Sequence, residues 1–241
     1  TYKTNGEKYE KQIDLPDHSV AIKVVLDTLL DSEIGVLDSL SEINAVGHRL
    51  VHGGEKFSSS VIIDEEVIKQ IESCNDLAPL HNPANILGVR ACQKVMPGVP
   101  NVAVFDTAFH QTMPKKAYIY GVPKEYYTKY GVRRYGFHGT SHSFVSKRLA
   151  ELAGVPLEHS RLIVCHIGSG ASISAVKDGK SIDTSMGMTP LEGLVMGTRS
   201  GDIDPAIIEK KKKKENISAQ KLTTILNKES GVLGICGVSN A

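Results

Sequence analysis

Between Asp17 and Leu30, apolar side chains fall at Val20, Ile22, Val24, Val25, Leu29 and Leu30. This spacing fits one face of a helix entered from the extended Leu15-Pro16. Residues 44–52 read instead as a strand running into Gly53-Gly54, where backbone without a Cβ can approach a ligand closely. A helix is expected from Asp64 to about Cys74. Asn82-Pro83 predicts another, with Asn82 as N-cap and Pro83 at the first helical position, and Met96-Pro97-Gly98 stops it. Residues 101–106 form a short apolar run ending in Asp106, the pattern of a buried parallel strand that delivers a polar group to its carboxyl edge.

Gln111-Thr112-Met113-Pro114 then breaks the pattern, and a Tyr-rich stretch and a helix over 140–152 follow. Residues 162–167, 171–176 and 181–184 read as strands joined by Gly168-Ser169-Gly170 and by Lys177-Asp178-Gly179-Lys180. The Asp-Gly pair signals a two-residue hairpin turn. Alternation of strands and helices followed by a hairpin-rich block predicts an α/β fold of two lobes, residues 1–110 and 111–241. No internal repeat of solenoid or propeller length is visible.

With 28 Lys and Arg against 27 Asp and Glu, the net charge is +1, which gives no electrostatic case for a nucleic-acid or anionic-membrane partner. No apolar stretch approaches a bilayer span, and the polar start lacks the apolar segment of a signal peptide. Cys74, Cys92, Cys165 and Cys236 are far apart and form no C-x-x-C pair, so a reducing, cytoplasmic setting is expected. A start at Thr1 and an end at Ala241, just after an apolar Gly-rich run, suggest a fragment.

Several segments could carry chemistry. Gly168-Ser169-Gly170 could cradle phosphate oxygens with its amides, or be an ordinary hairpin turn. The P-loop motif and the third Gly of the dinucleotide fingerprint are missing. His48/His52 and His138/His142 have the helical spacing of a zinc pair. In a strand, however, the first two imidazoles would stand about 13 Å apart, and Gly139 places the second pair at a helix start. Arg49 before Gly53-Gly54 and Arg199 within Gly197-Thr198-Arg199-Ser200-Gly201 are placed to grip carboxylate or phosphate, against the common alternative of surface salt bridges. The run Lys210 to Lys214 reads as a solvated helix face, and the six tyrosines from Tyr118 to Tyr135 as packing or rim residues.

Five longer motifs occur in order: His48-Arg49-Leu50-Val51-His52-Gly53-Gly54, Leu77-Ala78-Pro79-Leu80-His81-Asn82-Pro83, Phe105-Asp106-Thr107-Ala108-Phe109-His110-Gln111-Thr112-Met113-Pro114, Tyr135-Gly136-Phe137-His138-Gly139-Thr140-Ser141-His142 and Thr189-Pro190-Leu191-Glu192-Gly193-Leu194-Val195-Met196-Gly197-Thr198-Arg199-Ser200-Gly201. Together they resemble the acetokinase family over nearly the whole chain. The resemblance implies the two-lobed acetate and sugar kinase/Hsp70/actin (ribonuclease H-like) fold, and reversible transfer of phosphate between ATP and acetate to give acetyl phosphate and ADP. It assigns catalytic roles to Asp106, His138 and Arg199. Arg49 would share the binding of carboxylate and phosphoryl groups, and Val51, Leu80, Phe137 and Pro190 would form the pocket for the substrate methyl. His166-Ile167-Gly168-Ser169-Gly170 would be the nucleotide phosphate-binding hairpin. It further implies Mg2+, with ligands outside this chain, and a homodimer.

Elementary chemistry agrees with such a site. In-line phosphoryl transfer needs positive and hydrogen-bonding groups around the equatorial oxygens, which two Arg and a His supply. Acetate is already ionised at neutral pH, so no general base is required, and Asp106 is expected to orient rather than to abstract a proton. An apolar pocket discriminates weakly by size, which leaves propionate and butyrate kinase activities as alternatives. The family's opening strand, its Asn-x-Gly-Ser-Ser-Ser loop, its adenosine-binding loops and a magnesium-linked Glu have no counterpart in this sequence. A weakly active or inactive chain, or a non-catalytic nucleotide- or acyl-binding fragment, is therefore a further expectation.

Overall fold

The computed structural model describes residues 1–79 and 81–239; Leu80, Asn240 and Ala241 lie outside the described residues. The chain forms two compact units, Thr1–Val51 with Ser60–Val104 and His52–Ser59 with Phe105–Ala241.

The first unit opens with a hairpin, β1 (Tyr2–Thr4) paired antiparallel to β2 (Glu7–Tyr9). Helix α1 (His18–Leu29) follows, where the apolar periodicity predicts it, with the Asp17 side chain accepting from the Val20 amide. Strands β3 (Val46–Leu50) and β4 (Val61–Ile62) come next, then helices α2 (Glu65–Glu72) and α3 (Asn82–Val95), and strand β5 (Asn101–Phe105). The sheet order is β3-β5-β4, and β4 runs antiparallel to β5. Leu26, Cys92 and Met96 form a buried cluster that carries α1 against α3, with Ile22, Leu29 and Val46 packed on it.

Two sequence expectations shift here. The cap of α3 is His81, and Asn82 is inside the helix and fully buried. The strand expected over 44–52 closes at Leu50, and His52 belongs to the second unit, where its ring meets Tyr135 edge-on at 4.5 Å.

The second unit contains the short helices α4 (Lys115–Tyr118) and α5 (Lys124–Tyr130), then the longer α6 (Gly139–Ala153). An antiparallel meander follows: β6 (Arg161–Ile167), β7 (Ala171–Lys177) and β8 (Lys180–Thr184). Asp178 and Gly179 link β7 to β8 with φ of 52° and 74°, the positive pair that a tight primed turn requires. Helices α7 (Pro205–Glu215), α8 (Ala219–Lys228) and α9 (Gly231–Cys236) complete the described chain. The lysine run lies on α7, which buries no residue and carries the i,i+4 pairs Lys211–Glu215 and Lys213–Glu209, a solvated face as its sequence predicts.

Gly53 makes a close approach within the second unit. A Cβ there would meet the Phe105 ring and the Phe57 Cβ at 3.0 Å, and the two rings stack 4.3 Å apart. The missing side chain makes room for this packing.

Candidate active site

The second unit gathers most of the expected site residues around the start of α6. Strand β5 alternates buried and half-buried positions and delivers Asp106 directly after Phe105, itself buried. The Asp106 carbonyl accepts from the Gly139 amide at 2.9 Å, fixing the first turn of α6 beside the end of the strand. No side chain fits at 139, where a Cβ would stand 2.3 Å from that carbonyl oxygen. His138 then turns the chain into the helix with φ 57° and ψ 21°, left-handed geometry that is uncommon for a non-glycine residue.

Its imidazole is held on two sides. Nδ1 lies 2.8 Å from Ser172 Oγ on β7, and the ring stacks on His166 of β6 with centroids 4.0 Å apart. His166 Nδ1 is in turn 2.9 Å from Ser141 Oγ, one turn along α6. Behind them, His142 Nε2 reaches the same Ser172 hydroxyl at 2.7 Å. Burial, then the neighbouring His110, His138 and His166, push His142 down to about 3. His110, bonded to Ser181 Oγ at 2.8 Å and the Phe137 carbonyl at 2.9 Å, is pushed down to about 4, again mainly by burial.

The hairpin Gly168-Ser169-Gly170 closes on itself through the Gly168 amide and the Gly170 carbonyl at 3.1 Å. A Cβ at Gly170 would stand 3.2 Å from Arg199 Nη1 and 3.6 Å from His138 Nε2. Hairpin, guanidinium and imidazole therefore converge on one position. Arg199 is half-buried, and Nη1 is bonded to the Pro190 carbonyl at 3.2 Å; among the described residues no carboxylate pairs with it. Burial works against its charge and lowers its pKa. An anion arriving there would meet a partly desolvated guanidinium.

The loop that carries Pro190 and Arg199 is tied down at several points. Gly197 donates to the Ser169 carbonyl at 3.2 Å, and Gly193 to Asp202 Oδ1 at 2.8 Å. Arg134 Nη2 pairs with Glu192 at 2.7 Å, the Tyr120 hydroxyl bonds Glu192, and the Met188 amide donates to that hydroxyl at 2.9 Å.

Phe137 is buried and Pro190 half-buried in this unit, while Ile167, Gly168 and Ser169 are exposed. Arg49 and Val51 lie in the first unit, Arg49 exposed on β3 and Val51 buried just after it, its amide donating to Asn85 Oδ1 at 3.2 Å. Leu80 is outside the described residues. Neither histidine pair forms a metal site: His48 bonds Asn101 at 2.7 Å, and His138 and His142 share a serine. Among the described residues no group of three or more His, Cys, Asp or Glu side chains could hold a metal ion. They therefore offer no cage for the magnesium that the resemblance implies.

Sequence reasoning missed Ser172, Ser141 and the buried role of His142. The available signal was the alternation of Ser172 and Ser174 on β7, two small polar residues facing the protein interior.

A half-buried arginine, a constrained imidazole and a glycine hairpin meet on an antiparallel meander in a mixed α/β protein. The acetokinase family model matches residues 1–241, and the chain belongs to that family. It is 66% identical to the acetate kinase of Lachnoclostridium phytofermentans over 98% of this chain, and 64% identical to that of Agathobacter rectalis over 99%. It spans 60% of the length of each. The crystal structure of Porphyromonas gingivalis acetate kinase superposes with a TM-score of 0.93 at 53% identity, covering 98% of this chain and 59% of that one. A propionate kinase from Francisella tularensis gives 0.86 at 49% identity, covering 92% and 56%. The α/β fold expected from the sequence is thus the fold of the acetate kinases.

Proposed function

We propose that this protein is a kinase of small carboxylic acids that transfers the terminal phosphoryl group of ATP to acetate, and reverses the reaction. An acetate oxygen attacks phosphorus in line, the bond from phosphorus to the bridging oxygen of ADP breaks, and acetyl phosphate forms. The two compact units correspond to the two lobes. The observation that carries the reading is the convergence of Arg199 Nη1 and His138 Nε2 on Gly170, within a chain of this family.

In this reading Arg199 and His138 contact the equatorial phosphoryl oxygens, and the resemblance assigns Arg49 to the carboxylate. Asp106 orients this group and removes no proton, since acetate arrives ionised. The resemblance assigns Val51, Leu80, Phe137 and Pro190 to the methyl group of the substrate. His166 to Gly170 bind the nucleotide phosphates, and magnesium, when bound, would supply further charge neutralisation. The protein works in the cytoplasm as a homodimer. No helix among the described residues is long and apolar enough to cross a membrane.

A propionate kinase is the second reading, favoured by the likeness to the Francisella structure and by the weak size discrimination of an apolar pocket, about 1–3 kcal/mol per methylene. Hydroxylamine trapping of acyl phosphate, with ATP, magnesium and acetate, propionate or butyrate side by side, separates the readings. Acetate is expected to give the highest kcat/KM. A longer acid in front would change the substrate, and ATP binding without any acyl phosphate would make this a binding protein.

A further inference from the structure

One hydroxyl joins the imidazoles of His138 and His142. Ser172 Oγ lies 2.8 Å from His138 Nδ1 and 2.7 Å from His142 Nε2, and Ser172 and His142 are fully buried. A serine hydroxyl has a single proton, and among the described residues the buried Ser172 hydroxyl has no acceptor besides these two rings, so it donates to one and accepts from the other. Two proton orders are possible, and they leave His138 with opposite tautomers.

The choice is made at His142. Burial and the surrounding histidines keep this ring neutral, with one proton for two nitrogens. Its Nδ1 is buried and finds no hydrogen-bond partner among the described residues. If that proton sat on Nδ1, an N–H donor would be stranded in the interior, having lost its water without replacement. With the proton on Nε2, the N–H is used on Ser172 and the stranded atom is a bare ring nitrogen. Neutral histidine also prefers the Nε2 proton intrinsically, so both rings favour the same order.

We propose that His142 and Ser172 are positioning residues that set the tautomer of His138. His142 Nε2–H donates to Ser172 Oγ, and the Ser172 hydroxyl donates to His138 Nδ1. Neutral His138 then carries its proton on Nε2. That atom faces the position beside Gly170 where Arg199 Nη1 also converges, and it presents a donor, not a lone pair, to an incoming phosphoryl oxygen. The opposite order would set a lone pair against the same anion. The stack on His166 and the bond from His166 to Ser141 hold the ring plane while Ser172 sets its protonation. The use of the donor rests on the phosphoryl role assigned to His138 above; the proton order does not.

Long-range 1H–15N correlation of the histidine-labelled chain at about pH 8, above the ordinary histidine range, reads each ring nitrogen as protonated or bare. Loss of its signals in His138→Gln identifies His138. Both His138 and His142 are expected to show protonated Nε2 and bare Nδ1. In Ser172→Ala, the His138 Nδ1 resonance is expected to shift toward the position of a nitrogen without a hydrogen bond, while Ser172→Thr, which keeps the hydroxyl, holds the wild-type shift. A protonated Nδ1 on either ring, or a His138 Nδ1 shift indifferent to the loss of the hydroxyl, overturns the proposal. If Ser172→Ala fails to fold, the wild-type tautomers together with Ser172→Thr decide it. Acetyl phosphate added to the same sample tests the phosphoryl role separately: an Nε2 signal that stays still, in the expected tautomer, removes that role and leaves the proton order standing.

Discussion

Gly139 donates its amide to the carbonyl oxygen of Asp106 at 2.9 Å, and that oxygen would stand only 2.3 Å from a Cβ at 139. The end of β5 and the start of α6 are thereby locked together, and His138, one residue earlier, is forced into left-handed geometry. Because the atom in the way is backbone, Gly139→Ala cannot be relieved by a rotamer change. A loss of about 2 kcal/mol in unfolding free energy is expected, within the usual range for overpacking. Urea denaturation of the variant checks it, and unchanged stability would show that the two elements are free to separate.

Gly170→Ala is expected to behave in the opposite way. Its φ is not left-handed and the nearest atom, Arg199 Nη1 at 3.2 Å, ends a movable side chain. Stability should stay within about 0.5 kcal/mol of the parent. Acyl phosphate formation should fall on the order of ten- to a hundredfold, because the guanidinium is displaced from its working position. Equal loss of both would make the hairpin a purely structural turn.

Asp106→Asn separates orientation from proton abstraction. With acetate ionised throughout the working range, the acid side of the kcat/KM profile is expected to keep its shape while its height drops. Disappearance of that limb in the variant would make Asp106 a base.

Stability should depend on pH through three buried histidines. His52 and His110 are pushed down to about 4 and His142 to about 3, each first by burial. In the unfolded chain they titrate near 6.5, so between there and about pH 4 the unfolded state binds protons that the folded state refuses. Their contribution is complete above about pH 6.5 and is lost as the pH falls below it, at up to about 1.4 kcal/mol per histidine per pH unit. Urea midpoints that fall steadily from about pH 7 to 5 are expected. A flat profile over that range would mean that these rings are hydrated in the folded protein.

Much of this was legible in the chain, for local reasons. Asp178-Gly179 needs nothing beyond its own positive φ angles to make its turn, and α1 needs only its apolar spacing and Asp17. Where the sequence misled, a distant partner decided. His81, not Asn82, caps α3, and His52 leaves the strand to pack on Tyr135. The left-handed His138 depends on Asp106, thirty-two positions earlier in the sequence, and no local pattern announces it. Motif resemblance supplied His138 and Arg199 but said nothing of Ser172, whose importance appears only once β7 and α6 are side by side.

The most direct test of the site is ATP formation from acetyl phosphate and ADP, followed in the parent protein and in Arg199→Ala and His138→Ala. Each variant is expected to lose on the order of 100- to 1000-fold in kcat, the usual consequence of removing one preorganised group that stabilises transition-state charge, and to keep the parent's urea midpoint. Rates within twofold of the parent in both variants would contradict the assignment of phosphoryl transfer to these residues.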